Sequence, residues 1–301
     1  MNNIKKRIVV RIAEGLGNQL FMYANAYALS QTYNYELLID NTSGYFQTKN
    51  KIRNYELDNF LISNNIADNN LKFDSSTKNL IRKFMKRIDL FRKSKKFIIE
   101  SKDSSKNTYF NKIDLHSNPD IIFVEGHFEC EKYFIDFKSD IKKIFKIKND
   151  LIDTNSQYIN ELLNCNSVSI CIRQNRYSER KNKNETKSVK FTKDTIDYVY
   201  KSIDYIKKRV DHPKFFVWSN DFRNLREYFS ANEFVFIDNK KNKSLNDFNL
   251  FKYCKHFIVG PTSFHWWGAW LNDNPKKICI RPKDINPSKN KNFWPEEWVS
   301  I

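Results

Sequence analysis

Short β-branched runs alternate with longer stretches of helical periodicity along most of the chain. Arg7–Ile12 (RIVVRI) reads as a strand, Glu14-Gly15-Leu16-Gly17 breaks it, and Asn18 opens a helix through QLFMYANAYALSQTY. ELLID at 36–40 is the next strand. Between about 50 and 120 the pattern is poorer, with Lys/Asn-rich loops around helical periodicity at 77–93. IIFVEGHF (121–128) reads as a strand, and a helix carrying Phe134, Phe137, Ile141 and Phe145 follows. A polar stretch at 148–156 marks a linker, dividing the chain into domains 1–150 and 151–301. Beyond it strands are expected at 168–173, 215–219, 233–238, 256–260 and 277–282. Helical patterns fill the gaps at 193–208, 221–229, 245–254 and 263–272. Such alternation means an α/β fold, a parallel sheet with helices on both faces.

In open α/β sheets ligands bind beyond the carboxyl ends of the strands. Here those ends read Arg173-Gln174-Asn175-Arg176, Ser219-Asn220-Asp221, Asp238-Asn239 and Gly260-Pro261-Thr262-Ser263. One sheet edge therefore gathers arginines, acids, amides and hydroxyls, the chemistry of a nucleotide site.

Charge widens the choice of partners. Lys and Arg number 52 against 35 acids, a formal net charge of +17 over 301 residues. Anionic partners or a solvated Lys-rich surface both fit that excess. The clusters KKRIVVR at the N-terminus, RKFMKR near 82–87 and FRKSKKF near 91–97 lie among apolar residues and suit an anionic membrane surface. They lack the aromatic-interleaved pattern of nucleic-acid binding, so no nucleic acid is expected. With 40% hydrophobic and 15% aromatic residues the chain can bury real cores. Five scattered cysteines without a C-x-x-C pair favour a reducing cytosol over disulfides or zinc. The N-terminus shows no secretory signal and no stretch nears the ~20 apolar residues of a membrane helix. The expected location is cytoplasmic, peripheral at most to the inner face of the plasma membrane.

Several constellations each carry two readings. Two of only six glycines, Gly15 and Gly17, sit in the first turn. They allow close backbone approach to a ligand, or make a tight strand-to-helix turn with Asn18 as cap. Arg173, directly after the apolar run VSICI, can hold a phosphate by two hydrogen bonds or reach solvent past the strand end. Thr262 and Ser263 suit a phosphate cradle at a helix start, or simple capping. Asp221 either accepts hydrogen bonds from a base or ribose, or is an acid at a helix N-terminus. Trp266, Trp267 and Trp270, at helical spacing, read as core rather than a sugar platform. His127 and His265 read as structural, and no histidine has metal-ligand spacing.

Taken together the segments resemble glycosyltransferase family 11, the α-1,2-fucosyltransferases. EGLGNQLFMYANAYALS is similar to that family's G-G-L-G-N-Q-L-F-Q-x-x-x-x-x-A-L signature. EGHFECEKYF at 125–134 resembles its G-Y-F/W-Q-S-E-x-Y-F segment, and FFVWSNDFRNLRE its F-x-x-F-S-D-D-x-x-W-x-K element. CKHFIVGPTSFHWWGAWLNDNPKKICIRP at 254–282 is similar to its C-terminal block with S-S-F-S-W-W-G-A-W-L. The resemblance implies a GT-B-like pair of Rossmann-type domains facing across a cleft. The N-terminal domain would lie on the acceptor side and the C-terminal domain would bind the nucleotide sugar. It implies a GDP-fucose donor, inversion, no cofactor or metal, and a galactoside or lipid-linked oligosaccharide acceptor in surface polysaccharide synthesis. Donor contacts would come from Gly15, Gly17, Asn18, Gln19, Arg173, Ser219, Asp221, Thr262, Ser263 and Phe264.

One motif departs. The family's H-x-R-R-x-D-Y stands here as Cys171-Ile172-Arg173-Gln174-Asn175-Arg176-Tyr177. Arg173 keeps the phosphate role, whereas Arg176, in place of the aspartate, is no base at neutral pH. A second cation there suggests that Arg173 and Arg176 clamp the diphosphate together. Catalytic candidates are thus Arg173, Arg176 and an acid among Glu14, Glu179 and Glu185, with Glu14 first because it replaces a glycine of the signature. Alternatives are another GDP-deoxyhexose such as colitose, or a non-catalytic nucleotide-sugar-binding relative.

Overall fold

Buried Ile8-Val9-Val10 makes β1 (Arg7–Arg11) an inner strand of the first of two sheets. The computed structural model describes residues 5–46, 53–91, 96–101, 119–153, 157–178, 183–230, 232–239, 243–288 and 290–301. The chain divides into two compact units, Met1–Lys148 with Ser288–Phe293, and Asn149–Pro287 with Trp294–Ile301.

In the N-terminal unit β1 pairs in parallel with β2 (Glu36–Asp40) and β4 (Ile121–Glu125), and β4 with β3 (Phe97–Ile99), in the order β2-β1-β4-β3. Parallel neighbours need crossovers. The first is α1 (Leu16–Tyr33), which buries thirteen of its 18 residues and so has no solvent face to speak of. It starts at Leu16 with Gly15 as N-cap, so Asn18 lies in the first turn rather than capping it. Between β2 and β3 runs α2 (Ser76–Asp89), capped by the Ser75 hydroxyl, and its Met85 joins a core of Val9, Leu71, Phe73, Phe97 and Phe123.

In the C-terminal unit the strands are β5 (Asn166–Ile172), β6 (Pro213–Ser219), β7 (Phe234–Phe236), β8 (His256–Ile258), β9 (Cys279–Arg281) and β10 (Val299–Ser300). All pair in parallel, in the order β10-β9-β8-β5-β6-β7. Alternation along β5 sorts its side chains. Val168, Ile170 and Ile172 pack with Ile196, Val199, Ile203 and Ile206 of α5 (Glu185–Lys207). Ser167 and Ser169 point the other way, to Tyr253 after α7 (Lys243–Leu250) and to His265 of α8 (Ser263–Leu271). Helices therefore cover both faces. In α8 the buried Trp266, Trp267 and Trp270 pack on one another, and Trp298 adds to them, which makes them core.

Several elements differ from the sequence pattern, each for a local reason. The helix expected through Phe134 and Phe137 is two 3-10 turns, Glu131–Tyr133 and Ile135–Phe137, before α3 (Lys138–Ile144). Adjacent Tyr133 and Phe134 are both buried, against Phe128 and Phe21, and one face of an α-helix cannot present two neighbours that way. α5 begins eight residues before 193 because the Asn184 side chain caps it at Lys187 N. The helix expected at 221–229 shrinks to α6 (Leu225–Tyr228), so Asp221 is not an acid at a helix N-terminus. The 148–156 stretch holds a 3-10 turn at Asn149–Leu151, and 154–156 lie outside the described residues. β3, β10 and α4 (Gln157–Leu163) are too short to show a period. All five cysteines are free thiols, and no described helix is long and apolar enough to cross a membrane.

The end of β4 carries a largely buried ion cluster. Glu125 accepts from Arg82 Nη1 at 3.2 Å and Lys86 Nζ at 2.7 Å, which ties α2 to the sheet. Removing one partner of such a cluster leaves the others buried and uncompensated. Glu125→Gln should cost about 2–4 kcal/mol in urea unfolding, the lower end because Lys86 reaches water. An unfolding midpoint equal to that of the parent chain would show that the cluster does not anchor α2.

Candidate active site

Numbered from β5, the C-terminal strands stand 6-5-4-1-2-3, the dinucleotide-binding order. The chain leaves β5 for β6 and β7 on one side and returns to β8, β9 and β10 on the other. The loops after β5 and β8 therefore part between neighbouring strands, at the topological switch point where such sheets take ligands. Arg173 follows β5 there, and Gly260-Pro261-Thr262 follows β8. The β8 loop crosses the end of β5 closely: a Cβ on Gly260 would lie 1.9 Å from the Cys171 carbonyl oxygen, so no other residue fits.

Thr262 is the N-cap of α8, its hydroxyl accepting from His265 N at 3.2 Å. Ser263 opens the helix, and Phe264 packs against Phe248 and Phe251. The first turn of α8 carries no acid, so its amides and dipole offer positive potential to the switch point. α5, which follows the other loop, starts on the exposed Glu185 and offers an anion less. Glu179 lies outside the described residues.

The loop after β5 is built on side-chain braces. Gln174 takes its backbone N–H to Asn220 Oδ1 at 2.8 Å, and its side-chain amide donates to the carbonyls of Asp221 and Arg223 at 2.6 and 3.1 Å. Ser219 Oγ donates to the Asp221 carbonyl at 2.6 Å, and the Asp221 carboxylate turns back on Arg223. Arg176 donates from Nη1 to the Pro261 carbonyl and from Nη2 to that of Pro287, at 3.3 and 3.2 Å, with its Cζ 5.3 Å from the centre of the Phe191 ring. It thus ties the β5 loop to the β8 loop. Arg173 is half-buried near Cys171. Burial pushes the Cys171 thiol up to about 12, with Asp247 adding to the shift and Arg173 opposing it. Cys171 is therefore neutral at physiological pH and no base.

In the N-terminal unit the glycine turn is held by Gln19, whose buried amide donates to the carbonyls of Glu14 (3.0 Å) and Asn54 (2.8 Å) and accepts from Glu56 N (2.9 Å). Gly17 and Asn18 lie in the first turn of α1. Glu14 has a φ of 67°, in the left-handed region that favours glycine, and its half-exposed carboxylate meets Arg53 Nη1 at 2.8 Å. A Cβ on Gly15 would lie 3.7 Å from the same Arg53 atom, so the arginine lies over the turn. A non-glycine side chain held at positive φ marks stored strain, which clusters at functional sites.

Some of these partners were beyond sequence reasoning. Arg53 lies in a loop with no periodicity and reaches Glu14 only in the fold. Asp247 is buried on α7, takes the Asn239 amide at 2.6 Å and acts electrostatically on Cys171. Its one sequence signal is an acid on the inward side of an apolar helix, flanked by Leu245, Phe248 and Leu250. Exposed His127 donates its backbone N–H to Glu100. Among the described residues no three His, Cys, Asp or Glu side chains stand together as a metal site requires.

The glycosyl transferase family 11 model matches residues 5–301. The chain is 30% identical to an α-1,2-colitosyltransferase of Escherichia coli, over 98% of each. It is 26% identical to the O-antigen biosynthesis glycosyltransferase WbnK of Escherichia coli, over 96% of this chain and 99% of that one. Among solved structures it is similar to the NodZ α-1,6-fucosyltransferase soaked with GDP-fucose, with a TM-score of 0.52 at 12% identity, over 89% and 93% of the two chains. That likeness concerns the fold, which is GT-B-like, with a parallel α/β sheet in each unit.

His265 gives the switch point a pH signature. Its Nδ1 accepts from Gly260 N at 2.9 Å, so Nε2 carries the proton and donates to Ser169 Oγ at 2.9 Å. Burial lowers its pKa from 6.5 to about 3. Below pH 6.5 the unfolded chain takes up a proton that the folded chain refuses. The contribution of His265 is thus complete above pH 6.5 and is lost as pH falls toward 3. Between pH 7 and pH 5 it should remove about 2 kcal/mol of stability. His265→Gln, which keeps one donor and one acceptor, should flatten that part of the urea-unfolding pH profile. Parallel profiles for the two proteins would refute the assignment.

Proposed function

We propose, for a chain that belongs to glycosyl transferase family 11, that it moves L-fucose from GDP-fucose to the 2-hydroxyl of a galactoside, with inversion at the anomeric carbon. The observation that carries this reading is Arg173 across the switch point from the acid-free N-terminus of α8. Such a pair suits a nucleoside diphosphate: a fixed cation and the positive end of a helix dipole.

In the transfer the bond from the anomeric carbon to the diphosphate oxygen breaks as the acceptor oxygen adds from the opposite face. Charge grows on the departing diphosphate, and a guanidinium aimed there lowers the barrier more than it stabilises the ground state. We assign that role to Arg173, with Thr262, Ser263 and the α8 amides on the phosphate oxygens. No metal is called for in this scheme, because the protein supplies the charge. Ser219 and Asp221 are assigned to the nucleoside, and the Gly15-Leu16-Gly17-Asn18 turn to the sugar, with buried Gln19 holding that turn in place rather than touching the donor. Arg176, bonded to the carbonyls of Pro261 and Pro287, assists by holding the two loops together. The acceptor hydroxyl loses its proton to Glu14, which Arg53 orients.

Colitose is the second reading, favoured by the E. coli relative that carries that name. It differs from fucose in lacking the 3-hydroxyl, so the two donors test one pocket position. The WbnK relative favours an O-antigen acceptor, hence a lipid-linked oligosaccharide worked on at the cytoplasmic face of a membrane.

Incubation with GDP-fucose and GDP-colitose over a panel of β-galactosides, with product linkage read by NMR, tests the reading. Transfer from neither donor, or a linkage other than to the 2-hydroxyl, would overturn it. Arg173→Ala should lower kcat about 100-fold or more, and Arg176→Ala should act mainly on donor KM. Glu14→Gln should lower kcat by about 100-fold or more with KM nearly constant; unchanged kcat removes Glu14 from the chemistry.

A further inference from the structure

Helix α2 is inside out. A surface helix normally turns its apolar stripe to the core and its charges to water. Here the inward side carries Asn79, Arg82, Lys86 and Asp89, with Met85 the apolar residue among them. Arg82 and Lys86 reach Glu125, and the Asp89 carboxylate accepts from the backbone N–H groups of Lys96 and Phe97 at 2.7 and 3.0 Å. The outward side carries Leu80 (64% exposed), Ile81 (50%), Phe84 (63%) and Ile88 (37%), and Phe91 (90%) extends it past the helix end. Residues 80, 84 and 88 recur every fourth position and so form one continuous ridge. Exposing large apolar side chains in a row costs free energy unless something covers them.

Charge identifies the cover. From Ser76 to Phe91 there are five cations, Lys78, Arg82, Lys83, Lys86 and Arg87, against a single acid, Asp89, which is buried. Lys83 and Arg87, exposed and four residues apart, line one flank of the apolar ridge and make no ion pair among the described residues. A second copy is a poor cover. Antiparallel pairing through this ridge sets the flank against itself, so Lys83 and Arg87 would meet their own counterparts. An anionic bilayer surface satisfies both halves at once: acyl chains take the Leu, Ile and Phe side chains, and lipid phosphates take the cations.

We propose that α2 is a membrane-seating helix, lying in the headgroup plane of an anionic bilayer with Leu80, Ile81, Phe84, Ile88 and Phe91 inserted. The Glu125 cluster is what lets it do so. Held by ion pairs and the Asp89 hydrogen bonds, with Met85 as its apolar anchor, the helix keeps its other large apolar side chains for lipid. The inference rests on α2 alone and is independent of which sugar the enzyme transfers.

The test is co-sedimentation of the full chain with vesicles of phosphatidylcholine, with and without phosphatidylglycerol. Binding to the anionic vesicles should be tighter by about tenfold or more and should weaken as salt rises. The double variant Leu80→Ser with Phe84→Ser should lose about tenfold or more in affinity, while circular dichroism and thermal midpoint stay those of the parent. Lys83→Gln with Arg87→Gln should lose the preference for anionic lipid. Absence of binding by the parent chain, or equal binding by the serine variant, would overturn the proposal. So would a dimer in sedimentation velocity that the serine variant dissociates, since a second copy would then be the cover. Each readout is made without donor or acceptor, so a wrong donor assignment leaves it unaffected.

Discussion

The crossing of Gly260 over the Cys171 carbonyl is the contact on which the polar edge of the C-terminal unit depends. With 1.9 Å between that oxygen and any Cβ at residue 260, the β8 loop can pass there only as glycine. Passing there, it delivers Gly260 N to His265 Nδ1, Thr262 to the start of α8 and the Pro261 carbonyl to Arg176. His265 in turn reaches Ser169 on the inner face of β5. Strand, loop and helix are thus locked by a short chain of hydrogen bonds in a dry setting, where each bond is worth more and each unmade one costs more. Preorganised donors of this sort are what transfer chemistry demands, because they need not reorganise as charge moves.

The altered loop at 171–177 takes on a physical meaning in this frame. Cys171 is buried and neutral, Gln174 braces the loop after β6, and Arg176 braces the loop after β8. These positions hold the loop from three sides and leave Arg173 at the strand end. Glu14 presents the converse case in the N-terminal unit. A residue with a side chain is kept at positive φ, with its carboxylate against Arg53, where a glycine would sit without strain. α2 is a third departure from local preference, an amphipathic helix mounted with its polar side inward. All three trade local ease for a placed functional group or surface, which is where departures from sequence rules are expected.

Much of the fold was legible because its signals are local. β-branched runs at 7–12, 168–173 and 215–219 and helical periodicity at 263–272 each depend on residues within a few positions of one another. Their ends were less so: the Asn184 cap that starts α5 early, and the paired burial of Tyr133 and Phe134 that breaks a helix, depend on contacts made after folding. Elements of two or three residues, such as β10 and β3, owe their existence to a neighbouring strand and carry no period of their own.

The sequence by itself determined the α/β class, the family, and the polar residues that stand at the strand ends. A strand end is a local boundary, and the residue after it is known once the strand is known. Tertiary structure alone decided which strand ends are neighbours. The order β10-β9-β8-β5-β6-β7 puts Arg173 beside Thr262, about ninety residues on, and no short-range pattern encodes that pairing. It also decided which side of α2 faces water. Periodicity shows that a helix has an apolar side, but only the partners Glu125, Lys96 and Phe97 select the charged side for burial.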